Sequence, residues 1–249
     1  MSPSQHFQTY FDMCTASCHS RLEQVFHIRY QVYCKEFGYE SEESCHEQKE
    51  IDQFDCQSRH TLLLHRQSNT PIGCVRLVES GSRHPQQRLP FEKYCARALD
   101  IRQFNVEKLP PGKVAELSRL ALIGRFRRRS SDQGQEVNYP KVVPIHDQQR
   151  NAFPVIPISL FLAGLSMLLS SDAEYGFAMM EPKLMRLLRW FGIDFKAVGK
   201  PIEYHGWRAP YIIHRDDAVR YLKSSVAALY EHIDNRLHRN CDYICTQSA

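Results

Sequence analysis

The sequence lacks the features of membrane, secreted and metal-binding proteins. It has no run of about 18 apolar residues that would span a bilayer. Its first residues, MSPSQHFQTYFDMC, have neither the basic region nor the apolar core of a secretory signal. The nine cysteines and twelve histidines form no CxxC knuckle and no HExxH motif. We therefore expect reduced thiols, a cytoplasmic location, no integral membrane segment and no bound metal.

A strong excess of either charge is also missing. The 32 Lys and Arg residues against 28 Asp and Glu residues give a net charge of +4 and a pI near 8.5. This balance is mildly basic and falls well short of a nucleic-acid-binding tail. With 43% hydrophobic residues, the 249-residue chain can form one large core or two small ones.

Hydrophobic periodicity predicts a single α/β domain. An amphipathic helix over 18–37 precedes a polar, acidic loop over 39–60 and two strands, HTLLLHR and PIGCVRLVES. Residues 130–153 show no periodicity, and we expect a mobile excursion there. The other predicted elements are a short helix near 91–98, a strand over 114–123, a buried helix over 157–170, a strand in EYGFAMM, a helix from Pro182 to Gly192, two strands around His205–Gly206 and an amphipathic helix over 216–233.

The stretch VAELSRLALIGRFRRR, residues 114–129, is the strongest candidate for a site. Glu116 and Arg119 lie on an otherwise apolar strand, and such charges are costly to bury without partners. Because side chains alternate along a strand, we expect Glu116 and Ser118 on one face and Leu117 and Arg119 on the other. A dense positive charge follows, where an anionic substrate or partner would dock. It consists of Arg125, Arg127, Arg128 and Arg129.

Further charged side chains accompany this strand. They are Arg29, one helical turn from Tyr33; Asp52 and Asp55, which bracket Phe54; and Arg76, in an apolar strand. Two interpretations stay open. The groups converge on a substrate site, or the aspartates and arginines form a buried ion network that only pins the first helix to the sheet.

Taken in order, these motifs resemble the N-acylhomoserine lactone (autoinducer) synthases. The likeness is closer to the related long-chain N-acyl amino acid synthases and to acyltransferases associated with PEP-CTERM/exosortase systems. The motifs are Arg29/Tyr33, Asp52-x-Phe54-Asp55, Gly73-Cys74-Val75-Arg76-Leu77 and Glu116-x-Ser118-Arg119, while Met180-Glu181-Pro182 and Glu203-Tyr204-His205-Gly206-x-Arg208-x-Pro210-Tyr211 fit the exosortase-associated group.

The resemblance implies one GNAT-like acyltransferase domain with a mixed central sheet flanked by helices. It covers most of residues 20–215. We therefore divide the chain into an N-terminal segment (1–17), a GNAT-like domain (18–215) and a C-terminal helix and tail (216–249). The implied reaction passes a fatty acyl group from a thioester on acyl carrier protein, or on coenzyme A, to the amino group of an amino acid or related amine, with no bound cofactor.

The resemblance also implies roles for the matched residues. Asp52 and Asp55 would hold the acceptor ammonium or order the acceptor loop, and Glu116 would accept the amine proton through a water. Arg76 and Arg119 would bind an acceptor carboxylate or brace the aspartates.

Other matched residues would complete the site. Arg29, Tyr33, Phe54 and Ser118 would contact substrate. Backbone N–H groups of Leu120, Ala121 and Leu122 would stabilise the oxyanion. The helix over 157–170 and the strand over 175–180 would line a tunnel for the acyl chain, and the arginine cluster would contact the carrier protein.

Two departures from the GNAT pattern bear on the donor. The loop after the 114–123 strand has one glycine, Gly124, where GNAT enzymes have a glycine-rich cradle for the coenzyme A pyrophosphate. At the position where GNAT enzymes usually have a tyrosine that protonates the thiolate, this sequence has Leu188.

Two alternative functions remain: autoinducer synthesis from S-adenosylmethionine, and a non-catalytic GNAT-like domain that binds phosphate or nucleic acid through its arginine cluster.

Overall fold

The computed structural model describes residues 1–80, 88–110, 112–127 and 155–239. The expected excursion over 130–153 lies outside these residues, as do Arg128 and Arg129. The described helices are α1 (Pro3–Tyr10), α2 (His19–Arg29), α3 (Pro90–Tyr94), α4 (Gly124–Arg127), α5 (Val155–Leu169), α6 (Pro182–Trp190) and α7 (Ser224–Arg239). The strands are β1 (Phe11–Thr15), β2 (Ser58–His65), β3 (Thr70–Glu79), β4 (Val114–Leu122), β5 (Tyr175–Met180), β6 (Lys196–Ala197), β7 (Ile202–Glu203) and β8 (Trp207–His214).

The strands form one mixed sheet in the order β1-β2-β3-β4-β5-β8-β6, with β7 paired to β8. Its pairs are antiparallel except β4 and β5, which run parallel. The parallel pairing spans three residue pairs, from Val114–Tyr175 to Glu116–Phe177. Beyond Glu116 the two strands separate, and this separation positions the site.

Helices cover both faces of the sheet. Helix α5 is apolar on all sides and almost entirely buried, packing with α1 and α7 in the main core cluster. Helix α2 packs on the other face, where Val25 and Ile28 contact Leu62 and Cys74 of the sheet. The predicted fold, a mixed sheet flanked by helices, is confirmed.

Local sequence signals account for several helix ends. Ser2 caps α1 by accepting a hydrogen bond from Gln5 N, and Pro3 begins the helix. Pro182 begins α6, and Gly192 follows the end of α6 with φ 91°, a conformation open to glycine.

The structure differs from the expected elements in three places. Residues 1–17 contribute α1 and β1, which pairs with β2 and continues the sheet. Helix α7 begins at Ser224 rather than at residue 216, because the side chain of His214 accepts a hydrogen bond from Asp216 N and caps a separate short turn over Arg215–Asp217. Three strands, rather than two, lie between residues 196 and 214.

Helix α2 also changes geometry at its end, where Tyr30–Glu36 form a π-helical segment. The wider turn carries Tyr33 toward β4, where its hydroxyl donates to Leu120 O at 3.1 Å. Segments of this kind are frequent at functional sites because they redirect side chains without ending the helix.

Candidate active site

Two arginines on different elements bind one acidic loop. Arg29 of α2 donates from Nε to Glu50 Oε2 (2.5 Å) and from Nη1 to Asp55 Oδ1 (2.6 Å). Arg76 of β3 donates from Nη1 to Asp52 Oδ1 (2.6 Å) and Asp55 Oδ1 (2.8 Å). Arg29 is 0% exposed and Arg76 is 1% exposed. These contacts hold the acidic loop against both α2 and the sheet.

A third arginine, Arg119 of β4, joins the same network. Its Nη2 lies 3.0 Å from Glu50 Oε1, 3.1 Å from Glu40 Oε1 and 3.3 Å from Asp52 Oδ2. Its Cζ lies 5.2 Å from the centre of the Tyr33 ring, within cation–π range. All three arginines predicted for the site therefore converge.

The network controls the charge of its acids. Burial alone would raise the pKa of Glu50 and of Asp55, but the neighbouring arginines outweigh burial and hold both pKa values below their usual range. Burial opposes the charge of Arg29 in turn, yet Glu50 and Asp55 keep its pKa above the ordinary value. The neighbouring arginines therefore favour the ionised forms of Glu50 and Asp55.

A bulge in β4 places Arg119 in this network. One residue of β3, Val75, lies opposite two residues of β4, Arg119 and Leu120. Arg119 has φ 49°, in the left-handed region that residues other than glycine seldom adopt. The expected alternation is therefore wrong at this point. Arg119 contacts the acidic loop. Ser118 accepts a hydrogen bond from Arg76, which binds the same loop. Leu117, by contrast, packs in the main core with α5.

Glu116 differs from the other acids because its surroundings are mostly apolar. Its side chain is buried, and its Oε2 accepts a hydrogen bond from Phe91 N at 2.8 Å. Burial raises the pKa of Glu116 to about 8, although the Phe91 amide and the more distant Arg76 and Arg119 work in the opposite direction. A carboxyl group with this pKa exchanges protons near neutral pH.

Where β4 and β5 separate, a cleft with a volume of about 360 Å³ opens. Seven of the predicted site residues line it: Tyr33, Asp52, Arg76, Glu116, Ser118, Arg119 and Leu120. Its apolar wall includes Leu117, Phe161 of α5, and Ala178, Met179 and Met180 of β5. The cleft thus joins a charged end to an apolar end.

Other predicted residues lie behind the wall. Arg29 and Asp55 reach the cleft only through their ion pairs with its lining residues, and Phe54 is packed in a core cluster with Phe91. Ala121 and Leu122 are buried in the core. Since Ile123 N donates to Ile72 O, the alternation of an antiparallel pair directs the Ala121 amide toward β3 and the Leu122 amide away from it, while Leu120 lies in the bulge.

Sequence reasoning missed five residues of this region. Glu40 and Glu50 complete the ion network, and Tyr204, His205 and Arg208 line the cleft from the segment leading into β8. Glu50 stands two residues before the Asp52 motif, so its position was a usable signal. Tyr204 to Arg208 lie in a motif noted only for its resemblance.

This chain is similar to a known protein family and to several solved structures. Residues 28–134 match the family model described as Acetyltransferase (GNAT) domain. Over these residues the chain is similar to GNAT acetyltransferases. No curated protein sequence matches it.

Solved structures similar to this chain include acyl-homoserine lactone synthases. TofI, solved in a ternary complex with an inhibitor and MTA, has 16% identity and a TM-score of 0.58, with 88% of this chain and 96% of TofI covered. BjaI, a CoA-dependent acyl-homoserine lactone synthase solved with SAM and isopentyl-CoA, has 14% identity and a TM-score of 0.57, with 90% of this chain and 89% of BjaI covered.

An N-acyl amino acid synthase is also similar. FeeM, from uncultured soil microbes, has 14% identity and a TM-score of 0.54, with 87% of this chain and 96% of FeeM covered. At these identities the likeness concerns the fold. It agrees with the resemblance found in the sequence motifs.

The loop after β4 departs from a GNAT phosphate cradle in a specific way. The Gly124 amide donates to Glu36 Oε1 at 3.0 Å, and Arg127 forms an ion pair with the other oxygen of Glu36. Arg127 also lies over the Phe37 ring, 4.2 Å from its centre, and Arg125 lies 5.1 Å from the centre of the Phe126 ring. The Glu36 carboxylate thus already accepts the hydrogen bond of the Gly124 amide, which in a phosphate cradle would be donated to a phosphate.

The described residues show neither a membrane-spanning helix nor a metal-ligand cluster. None of their helices is both long and apolar enough to cross a membrane. Nor do three His, Cys, Asp or Glu side chains of that part of the chain cluster as metal ligands. Leu188, at the position of the usual GNAT tyrosine, is fully buried in the core.

Proposed function

We propose that this chain is an N-acyltransferase that moves a long-chain fatty acyl group from a thioester to the amino group of an amino acid or related amine. The observation that carries the proposal is the position of Glu116. Its carboxyl group, with a pKa raised to about 8 by burial, borders the cleft beside the bulged strand β4. The opposite wall of that cleft is apolar and suits an acyl chain.

Glu116 acts as the general base in this proposal. The acceptor ammonium first passes one proton to the Glu116 carboxylate, directly or through one water, which frees the lone pair of the nitrogen. The nitrogen then attacks the thioester carbonyl carbon, and the tetrahedral adduct releases its second N–H proton to solvent. The C–S bond then breaks and the sulfur leaves as a thiolate. A thiol with a pKa near about 8.5 can leave without a proton donor, which fits the presence of Leu188 at the usual tyrosine position.

A backbone amide of β4 stabilises the oxyanion. Leu120 lines the cleft, and its carbonyl is held by the Tyr33 hydroxyl at 3.1 Å, which fixes the orientation of this peptide segment. Of the three amides expected from the sequence, we retain that of Leu120, because the Ala121 amide is directed toward β3 and Leu122 is not among the residues that line the cleft.

The arginine network positions the acceptor and takes no part in the chemical step. Asp52 borders the cleft and would receive the acceptor ammonium, while Asp55 lies behind it between Arg29 and Arg76. A carboxylate that borders the cleft can accept hydrogen bonds from a bound cation, whereas Asp55 is already held by two arginines. We therefore assign Asp52 to acceptor binding and Asp55 to bracing.

Acyl carrier protein is the proposed donor, with acyl-coenzyme A as the alternative. Glu36 already holds the Gly124 amide, so a negatively charged pyrophosphate would meet a carboxylate at that point. Arg125 and Arg127 would face the acidic carrier. The CoA-dependent enzyme BjaI has the same fold, so both donors belong in the assay.

Two further points remain proposals. Acyl-homoserine lactone synthesis from S-adenosylmethionine shares the same acyl transfer step, and S-adenosylmethionine therefore belongs among the tested acceptors. The association with exosortase systems and the cytoplasmic location also stay predictions. Arg127 is already paired with Glu36, which weakens the nucleic-acid alternative.

The test is mass spectrometry of lipid extracts from a bacterial host that expresses the chain. Wild type should yield a new N-acylated amine, and its mass names the acceptor and the chain length. Glu116→Gln should reduce its formation by about 10²- to 10⁴-fold, the usual contribution of a general base. Glu174→Gln, a change to an exposed glutamate paired with Lys113, is the matched control.

Purified protein completes the test. Acyl carrier protein and coenzyme A thioesters are offered with a panel of amines and with S-adenosylmethionine. Full activity in a folded Glu116→Gln protein would remove Glu116 from the chemistry. Absence of acyl transfer from both donors to every amine would overturn the proposed function.

A further inference from the structure

Arg208 is a cation in the cleft that pairs with no carboxylate of the described residues. It lies on β8, next to Ala209, which pairs with Met180 of β5, and its side chain lines the cleft. Within the part of the chain that the structure describes, Arg208 forms no ion pair within 4.0 Å, and its buried Nε has no hydrogen-bond partner. A buried donor left without a partner costs about 1–3 kcal/mol, so such groups usually serve a ligand or a water.

The other cleft arginines are in a different state. Arg76 and Arg119 each bind at least two carboxylates and are thereby committed to the network. Their charge is matched inside the protein, so neither is well placed to bind a further anion. Arg208 alone among the arginines that line the described cleft keeps its charge for a ligand.

Aromatic rings separate Arg208 from the network. The Cζ atom of Arg208 lies 5.8 Å from the centre of the Tyr39 ring, and that ring lies 6.4 Å from the ring of Tyr33. Tyr33 in turn contacts Arg119. Arg208 and Asp52 therefore border one cleft, and the rings of Tyr39 and Tyr33 lie between Arg208 and Arg119 of the network.

The nearby carboxylates do not reach Arg208. Glu40 is engaged by Arg119 at 3.1 Å and lies 3.8 Å from His205 Nε2. Glu181 lines the cleft at the start of α6, but it is exposed and lies beyond ion-pair distance of Arg208. A planar guanidinium matches a carboxylate through two parallel hydrogen bonds.

We propose that Arg208 binds the carboxylate of the acceptor, so that the acceptor is an α-amino acid or a derivative with a free α-carboxylate. This inference rests on the proposed N-acyltransferase function and narrows its acceptor. The ammonium end of the amino acid lies toward Asp52 and Glu116, where it is deprotonated and acylated. Simple amines and amino acid amides lack the group that Arg208 recognises.

A structural role for Arg208 makes different predictions. If Arg208 only supported Tyr39 through its cation–π contact, its replacement would impair all acceptors alike. If it binds a carboxylate, the loss falls on acceptors that carry one. The comparison of matched acceptors within one variant therefore separates the two roles, even when the variant is less stable.

The experiment uses the purified full chain, an acyl carrier protein thioester, and acceptors in sets of three. Each set contains an amino acid, its carboxamide and its decarboxylated amine. We expect wild type to prefer the amino acid by about 10- to 100-fold in kcat/KM, the range of a charged hydrogen-bonded pair. Arg208→Gln should abolish this preference mainly through KM, and Arg208→Lys should retain part of it.

Binding without acyl donor gives a second readout that needs no turnover. In calorimetric titrations, wild type should bind the amino acid more tightly than its carboxamide, and Arg208→Gln should bind both equally weakly. Arg189→Gln is the matched control, because Arg189 is exposed on α6 and pairs with Asp194 away from the cleft lining.

Each outcome has a separate meaning. Equal use of amino acid and carboxamide by wild type would overturn the role of Arg208 and leave the N-acyltransferase intact. An equal loss for all acceptors in Arg208→Gln would likewise overturn it in favour of a structural role. Acylation of no amine at all, with the binding preference still present, would reject the proposed reaction while supporting an amino acid site.

Discussion

Carboxyl groups in and behind this cleft differ in pKa because their neighbours differ. Burial acts on Glu50, Asp55 and Glu116 alike, and in each case it favours the neutral form. Arginines in direct contact reverse that effect at Glu50 and Asp55. At Glu116 the closest partner is the neutral Phe91 amide, so burial prevails. One site therefore contains both ionised binding groups and a carboxyl group that exchanges protons near neutral pH.

The raised pKa of Glu116 predicts how the rate depends on pH. Only the ionised carboxylate can accept a proton, so kcat/KM should rise with pH and level off above about 8. Glu116→Gln should give a lower profile without this step. The measurement is acyl transfer from about pH 6 to about pH 9, with an acceptor whose amine titrates above that range. The same step in both proteins would assign the titration to another group.

The same pKa predicts an effect on stability. The folded-state pKa of Glu116 is raised above its unfolded value, so the folded protein holds the proton more tightly. The resulting stability is present at low pH and is lost as pH rises through about 8. Glu116→Gln should therefore gain stability relative to wild type as pH rises from 4.5, the ordinary pKa of a glutamate, to about 8, by on the order of 5 kcal/mol in total.

Urea unfolding at several pH values measures this difference. Glu174→Gln, at an exposed position, should show no such trend against wild type. If the difference in unfolding free energy between Glu116→Gln and wild type did not change with pH, the pKa of Glu116 would not be raised in the folded protein.

At the scale of elements, the ion network links α2 to the acidic loop and to β3 and β4. Arg29→Ala should be strongly destabilising, by about 3–5 kcal/mol, because it removes one of the two arginines that pair with each of the buried Glu50 and Asp55. Arg189→Ala, which breaks an exposed pair with Asp194, should cost no more than about 1 kcal/mol. Urea titration of the two variants compares these costs directly. Similar losses would mean that Arg29 is solvated rather than locked.

Elements also show where sequence patterns are informative. Alternating and helical periods predicted β2, β3, β4 and α5, because these elements bury one face or all faces. The bulge at Arg119 could not be predicted, since left-handed φ at an arginine has no local signal and depends on the Glu50 and Glu40 contacts. Likewise the π-helical segment at Tyr30–Glu36 depends on where Tyr33 meets β4.

At the scale of the whole molecule, the candidate site combines nearby and distant parts of the chain. The motif residues Arg76, Glu116 and Arg119 were predictable because charges on apolar strands are costly without a purpose. Arg208 was not, because its significance depends on the absence of a carboxylate near it in three dimensions. The chain ends show the same limit. Arg236 of α7 binds Asp12 of β1 through two hydrogen bonds (2.8 and 2.6 Å), a contact across 224 positions.

The whole surface around the site leads to a prediction about the donor. The Glu36 carboxylate accepts the hydrogen bond of the Gly124 amide, and Arg125 follows Gly124 on α4, so we expect this loop to contact an acidic carrier protein rather than a free pyrophosphate. Arg125→Glu should raise KM for acyl carrier protein at least about tenfold, because like charges now meet at the interface. It should leave KM for a short acyl-pantetheine thioester unchanged, since that donor lacks the acidic protein. Steady-state kinetics at low and high salt measure this, with Arg189→Glu as the control. Because salt screens the contact, the difference should shrink as ionic strength rises. An equal change for both donors would show that Arg125 supports the fold of the cleft rather than the carrier.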